Sequence, residues 1–483
     1  MKLGKLIENL DLEEVYDFIN LEIIGLTHDS RRVKPGYVFV AIAGHKIDGH
    51  HFIEKSLEQG AAAIVSEKTF SPNTRIPQII VRNSRRALSH LSCCFYENPS
   101  QKINVIGITG TNGKTTTAFL TKSIIESKGY DTGLIGTISY QIGKKKIPAR
   151  ETTPESVELQ RIIAEMVTSR LKFLVMEVSS HSLVQHRVED INFTAAVFTN
   201  VSPEHLDYHK TITNYMEAKR KLFEGLKSNS YAVLNADDEQ SGYFAASTKA
   251  HILWYGIKKN ADIEAKICRE TLDTTVVRLS YAGMEVEVFI PLIGLHNVYN
   301  ALASAAVAIS QGFNLKEVKE GIEAVPIIPG RLEMVPSTKG FVIFVDFAHT
   351  PHALEVVLDT LRKLTSGRLI LVFGCGGDRD REKRAEMGRI ADLNSDIFWI
   401  TNDNPRSENP KGIIADIQAG ITPERDFYVQ QDREEAIQSA LSKAEKGDIV
   451  LIAGKGHEKG QIVKDKVIPF DDKDVIEKII SRN

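Results

Sequence analysis

Cysteine is scarce in this sequence. Four occur in 483 residues (Cys93, Cys94, Cys268 and Cys375) and none are spaced as CxxC, so neither a disulfide framework nor a thiolate zinc site organises the chain, and a reducing compartment suits it. An excess of one charge is missing too. Sixty Lys and Arg against 63 Asp and Glu leave a formal −3, which gives no global basic field for nucleic acid or an anionic membrane. Long apolar runs are also absent: none approaches the roughly 18 residues of a membrane-spanning helix. The N-terminal stretch MKLGKLIENLDLEEVYDFI interleaves acids with its apolar positions where a signal peptide carries an unbroken core. The expectation is a cytoplasmic monomer acting on small molecules, with no nucleic-acid partner and no membrane insertion.

What is present is strand-then-helix grammar. The length exceeds one core, and at roughly 100 to 200 residues per domain it predicts about three domains. Residues 1–98 carry short β-like runs (YVFVAI, AAAIVS, IPQIIV) around helical stretches such as FIEKSLEQG, and ENPSQK reads as the exit linker. Residues 99–329 open with INVIGITGTNGKTTTAFLTKSIIESKG and continue with FLVMEV, AAVFTN and YAVLNA, the alternation of a parallel sheet. A polar, β-branched stretch (263–292) predicts an antiparallel patch, followed by a helix from His296 to Gln311. Residues 330–483 hold a third block with strands FVIFVDF, RLILVFG, DIFWIT and DIVLIAG. The expected class is α/β: a small N-terminal domain, a central parallel-sheet nucleotide-binding domain and a Rossmann-like C-terminal domain.

GITGTNGKTTT (107–117) departs from the strict phosphate-loop pattern, which would need glycine at Ile108. The physics of that loop survives. Gly110, Thr111, Asn112 and Gly113 turn backbone N–H groups toward a polyphosphate at a helix N-terminus, Lys114 reaches its outer oxygens, and Thr115 and Thr116 offer hydroxyls, Thr115 toward Mg²⁺. Nucleotide binding follows; a reaction does not.

Further along, Glu177 ends an apolar run in MEVSSHSLVQHR, His205 lies in NVSPEHLDYH, and Lys219 falls on a predicted helix in NYMEAKRKLF. Strand-end loops of one parallel sheet converge on one rim, so a carboxylate, a histidine and the Thr115 hydroxyl can meet at Mg²⁺. Taken singly, Glu177 also reads as a helix cap, His205 as an exposed polar residue and Lys219 as a surface lysine. His45, His50 and His51 in GHKIDGHH lack matching ligand spacing and read as solvated loop histidines.

Taken in order, GTNGKTTT, MEVSSH, EHLDYH, GLHNVYNALA, GRLE and DFAHTP resemble the Mur ligase family across nearly the whole chain. That resemblance implies ATP- and Mg²⁺-dependent extension of the peptide on a UDP-linked cell-wall precursor, with an N-terminal UDP-binding domain. DSR at 29–31, ETTP, GCGGDRD, DNPR and GKGHE are similar to members that add the third residue, to UDP-N-acetylmuramoyl-L-alanyl-D-glutamate. By motif, Ser30 and His45 would sit near the uridine diphosphate, and Thr152, Thr153, Ser179, Gln185 and Arg187 would hold the dipeptide end. Lys114, Glu177, His205 and Lys219 would form the catalytic group, with Thr115, Glu177, His205 and a carbamylated Lys219 around metal. Asn297 would meet adenine, while Arg331 and Asp346, with His349 nearby, would reach the nucleotide from the third domain.

DNPR is similar to the loop that selects the incoming amino acid. Arg379, Asp403, Asn404, Pro405, Arg406, Gly454 and Glu458 would line that pocket. A guanidinium at 406 can grip the distal carboxylate of meso-diaminopimelate with two parallel hydrogen bonds, and Glu458 can meet its ammonium. L-Lysine as the added residue, a folylpolyglutamate synthetase and a non-catalytic nucleotide-binding module are the rival readings.

Overall fold

Three α/β domains, each built on its own sheet, make up the computed structural model, which describes residues 1–44, 47–70 and 76–481. In the N-terminal sheet Gly25–Thr27, Tyr37–Val40, Ala63–Ser66 and Gln78–Val81 run parallel. Leu12–Tyr16 closes its edge antiparallel to Gln78–Val81. Leu88 and Leu91 of helix Ser84–Phe95 bury against Val38, Val40 and Val65. The edge strand was not anticipated, because its side chains are mostly exposed and show no apolar alternation.

The central sheet has 11 strands. Its parallel part runs in the order His251–Gly256, Tyr231–Asn235, Phe193–Phe198, Asn104–Thr109, Phe173–Glu177, Thr132–Ile135. Helices Lys114–Ser127 and Leu295–Ser310 bury one face of this sheet, and Ser156–Thr168 with Ile212–Glu224 covers the other. Two-sided burial is why these strands read as unbroken apolar runs. The predicted antiparallel patch is a meander, Ile263–Glu270, Thr275–Tyr281 and Met284–Ile290. The helix foreseen from His296 to Gln311 spans Leu295–Ser310.

The third sheet places Ile449–Ala453 between Val342–Asp346 and Leu369–Phe373, followed by Ile397–Ile400, all parallel. The last strand in sequence thus enters the middle of the sheet. Crevices at the C-terminal ends of such parallel strands are where ligands sit in open α/β folds. Arg433 and Asp472, both wholly buried and joined by bonds of 2.7 and 2.8 Å, tie two helices beneath it. Beyond it, Gly460–Val463 and Lys466–Pro469 form a hairpin the sequence reading did not contain. Among the described residues no helix is long and apolar enough to cross a membrane.

Candidate active site

Strand Asn104–Thr109 delivers the glycine loop to the rim. Gly110 (φ +144°) and Gly113 (φ +86°) occupy left-handed space, and a Cβ would strike Thr199 Oγ1 at the first and Asn300 Oδ1 at the second. The loop is moored to the end of the neighbouring strand: Asn112 N donates to Asn200 Oδ1 (3.0 Å), Thr199 Oγ1 donates to Asn112 O (2.7 Å), and Thr111 N donates to Asn200 O (2.8 Å). Lys114 folds back so that its ammonium caps Gly110 O (3.0 Å) and Thr111 O (2.8 Å). Thr116 is buried in the first turn of the helix.

Thr115 and Glu177 meet as expected, with Thr115 Oγ1 donating to Glu177 Oε2 at 3.0 Å. Thr137 braces the carboxylate through its N–H (2.9 Å) and hydroxyl (3.1 Å), and that hydroxyl also touches Thr152 Oγ1 (3.1 Å). From the C-terminal domain's side, Arg331 Nη2 donates to Thr115 Oγ1 at 3.0 Å. This is an oxygen-donor corner between loop, strand end and a cation, chemistry that suits Mg²⁺.

His205 and Lys219 lie on the other flank of the loop. No hydrogen bond or ion pair joins His205 to Glu177, and among the described residues no three His, Cys, Asp or Glu side chains cluster as a metal site. Lys219 is 1% exposed, donates to Gly110 O at 2.7 Å and lies 4.2 Å from the Tyr215 ring centre. Burial, reinforced by repulsion from Lys114, holds its amine well below the usual lysine range. Glu204 faces both lysines. Burial pushes its carboxyl up, but the surrounding charge of His205, Lys114, His349 and Lys219 outweighs that and leaves it below the ordinary value. Its ring partners are His205 (3.8 Å) and, across the domain boundary, His349 (4.0 Å).

The predicted dipeptide group is assembled. Arg187, 9% exposed, pairs with Glu151 and Glu155 (2.9 Å), donates to Thr153 O (2.8 Å) and takes two bonds to Gln185 Oε1 (3.1 and 2.7 Å). Thr153 Oγ1 donates to Glu177 O (2.8 Å) and approaches Ser179 Oγ (3.4 Å), and Ser179 caps the helix Ser180–Val184. In the N-terminal domain Ser30 is buried in a turn capped by Asp29. Two residues earlier His28, pushed down by burial, feels Glu155 and Arg187 across the boundary and Arg85 of its own domain. His45 lies outside the described residues.

Two residues expected on the nucleotide side are engaged with the protein itself. Asp346 does not present a free carboxylate: Oδ2 accepts from Leu332 N and Oδ1 from Ala348 N, each at 2.7 Å. It therefore fixes the backbone just after Arg331 and just before His349. Asn297, 3% exposed, spends its amide on Ile293 O (2.8 Å) and Asn300 (3.0 Å). Through Asn300, which accepts from Thr117 (3.3 Å), it is linked to the phosphate-loop helix.

The amino-acid loops also converge. Strands Leu369–Phe373 and Ile397–Ile400 are parallel neighbours, so GCGGDRD and DNPR leave the sheet side by side. Arg406 (φ +50°) donates to Gly377 O at 2.8 Å. A Cβ on Gly376 would lie 2.8 Å from Arg406 Nη1 and 3.9 Å from Arg379 Cγ, so the two arginines flank that glycine. Among the described residues neither guanidinium forms an ion pair. Burial and the charge of Arg379 lower the proton affinity of Arg406, outweighing the nearby carboxylates of Asp403, Glu458 and Asp378, a setting that favours an added anion. Asn404 donates to Glu458 Oε2 (2.8 Å), and wholly buried Lys455 donates to Glu458 Oε2 (2.9 Å), Asn404 Oδ1 (3.2 Å) and Gly460 O (2.8 Å). Asp403 and Pro405 are buried in the loop, and a Cβ on Gly454 (φ +112°) would lie 2.9 Å from Asp403 Oδ2. The unforeseen hairpin holds the loop from above, since Arg406 N donates to Ile462 O (3.0 Å) and Gln461 Nε2 to Asp403 O (2.8 Å).

Sequence reasoning missed Asn200, Glu204 and Lys455. Glu204 and Lys455 stood inside quoted motifs, yet nothing in their spacing separates them from solvated charges.

Comparison with known proteins gives three matches along the chain: the Mur ligase family catalytic domain at 22–96, the Mur ligase middle domain at 108–308, and the Mur ligase glutamate ligase domain at 330–456. The chain is 44% identical over 482 residues, 99% of each sequence, to a protein of Clostridium acetobutylicum named UDP-N-acetylmuramoyl-L-alanyl-D-glutamate–2,6-diaminopimelate ligase 1. It is 43% identical, over 96% of each, to a ligase of the same designation from Caldanaerobacter subterraneus subsp. tengcongensis. A solved structure so titled superposes with a TM-score of 0.71 at 31% identity, covering 100% of this chain and 99% of the other.

Proposed function

This chain belongs to the Mur ligase family, and from that premise we propose that it is an ATP-dependent ligase of cytoplasmic peptidoglycan-precursor synthesis. It joins the amine of meso-diaminopimelate to the D-glutamate γ-carboxylate of UDP-N-acetylmuramoyl-L-alanyl-D-glutamate. The observation that carries the choice of amino acid is the pair Arg379 and Arg406, set about Gly376 with no ion pair to either guanidinium among the described residues and with Glu458 nearby. A substrate end bearing both a carboxylate and an ammonium satisfies all three groups. Lysine, with only an ammonium there, is repelled by the half-buried Arg406 and leaves its guanidinium without an anion. A folylpolyglutamate synthetase is disfavoured because relatives matching the full length carry the muramoyl-peptide name.

In the reaction the γ-carboxylate oxygen attacks the γ-phosphorus of ATP, and the bond to the bridging oxygen breaks to give an acyl phosphate and ADP. The diaminopimelate nitrogen then attacks the activated carbonyl, and the C–O bond to phosphate breaks. The residues work chiefly by positioning and neutralising charge. Lys114 turns from its loop carbonyls to the β- and γ-oxygens, Arg331 stands ready beside Thr115, and Arg187 orients the peptide. Thr115 and Glu177 would hold Mg²⁺, which when bound offsets phosphate charge. A neutral Lys219 amine, favoured by its burial, can attack CO₂ and lose a proton to become a carbamate.

Arg406→Ala tests the pocket. Losing two charge-assisted bonds of about 1.5 kcal/mol each raises the KM for diaminopimelate on the order of 100-fold, with the KM for ATP unchanged. Steady-state ADP formation with each substrate varied reads both; an equal rise in both constants would show that Arg406 only braces the loop.

A further inference from the structure

Arg384 has no part in the chemistry described above, yet it is 1% exposed. It sits in the first turn of helix Glu382–Asn394, immediately after GCGGDRD. Its guanidinium holds Glu408 with both prongs, Nη1 to Oε2 at 3.0 Å and Nη2 to Oε1 at 2.9 Å. It also donates to Asp416 Oδ2 (2.8 Å) and to Gly376 O (3.2 Å). Glu408 lies two residues beyond Arg406, and Gly376 is the residue that Arg379 and Arg406 flank. One buried side chain thus grips the roots of both loops.

Further cross-ties join the same two segments, and Arg381 Nη2 also lies 3.2 Å from Glu408 Oε2. Asp378 N donates to Glu408 Oε1 (2.5 Å), Ser407 donates to Asp378 through its N–H (3.1 Å) and hydroxyl (2.7 Å), and Gly377 N donates to Asn404 O (2.9 Å). A Cβ on Gly377 would collide with Pro405 O, so the backbones are already in contact. Asp378 precedes Arg379 and Ser407 follows Arg406. The relative placement of the two guanidiniums, which the direct bond from Arg406 to Gly377 O also supports, is therefore set largely beneath them, by a charged brace that itself touches no substrate.

Why the brace is ionic follows from what it must resist. Two arginines brought together repel, as the effect of Arg379 on Arg406 shows, and that repulsion works to part the loops bearing them in the absence of ligand. A planar fork bound to a carboxylate fixes distance and angle together, which a point charge or an apolar contact does not. We propose that Arg384 and Glu408 are positioning residues for amino-acid selection, holding Arg379 and Arg406 at the spacing of a single carboxylate; this rests on the diaminopimelate reading above.

The test uses the full-length enzyme and two variants, Arg384→Lys, which keeps the charge but not the fork, and Glu408→Gln, which keeps the shape but not the charge. Initial rates of phosphate release are measured with diaminopimelate, L-lysine and ATP each varied, alongside thermal melting. The proposal expects the KM for diaminopimelate to rise about 30-fold with kcat within about threefold, as a loosening of about 1 Å would give. The KM for ATP stays put and the preference over lysine falls about tenfold. A loss confined to kcat or to melting temperature, with KM for diaminopimelate unchanged in whichever variant folds, would overturn the brace while leaving the function intact. Wild-type enzyme that prefers another amino acid would remove the function and the brace together.

Discussion

Lys114→Ala is expected to abolish ADP formation, with kcat falling by on the order of 10³-fold or more. The ammonium bends over the loop, capping Gly110 O and Thr111 O. Charge accumulates on the γ-phosphoryl oxygens as the bond to the leaving oxygen breaks, and a cation placed there acts most strongly at the transition state. The loop's N–H groups and helix terminus remain in the variant, so nucleotide affinity falls far less than rate. Calorimetry with ADP beside single-turnover ADP formation separates the two; turnover within tenfold of wild type would remove Lys114 from the chemistry.

Lys219→Ala is expected to cut turnover by about 10²- to 10³-fold and to regain part of it when formate or acetate is added. The motivation is an amine 1% exposed, lying beside Lys114, whose proton affinity burial lowers well below the usual lysine range. Such an amine is poor as a cation and good as a nucleophile toward CO₂. A small carboxylate can occupy the cavity left by the side chain and supply the two oxygens of the carbamate. Activity restored by carboxylates but not by methylamine supports the modified lysine. Full activity without any rescue would remove the carbamate from the account.

Much of the fold was legible because parallel strands covered on both faces leave continuous apolar runs, as in Phe173–Glu177 and Leu369–Phe373. The glycine loop was legible for a different reason: positive φ at Gly110 and Gly113 leaves few residue choices. Leu12–Tyr16 was illegible because an edge strand with exposed side chains carries no pattern, and the hairpin Gly460–Pro469 because its residues are half-exposed or exposed. Buried charges were the hardest. Lys219 and its neighbour Lys221 look alike in sequence, but Lys219 shares a helical face with Tyr215, Leu222 and Phe223, all buried. The same period links Arg384 to Met387 and Ala391. A charge falling on the apolar stripe of a helix was the available signal, and it was not used. Asp346 shows the converse, a motif residue whose carboxylate serves the backbone.

The central claim is that two co-substrates and one pocket together define the reaction. It is tested most directly by phosphate release from ATP and Mg²⁺ with UDP-N-acetylmuramoyl-L-alanyl-D-glutamate, comparing meso-diaminopimelate, L-lysine and no amino acid. Release that requires the nucleotide precursor and proceeds with diaminopimelate alone is the predicted result. Release preferring lysine, or independent of any amino acid, would contradict it.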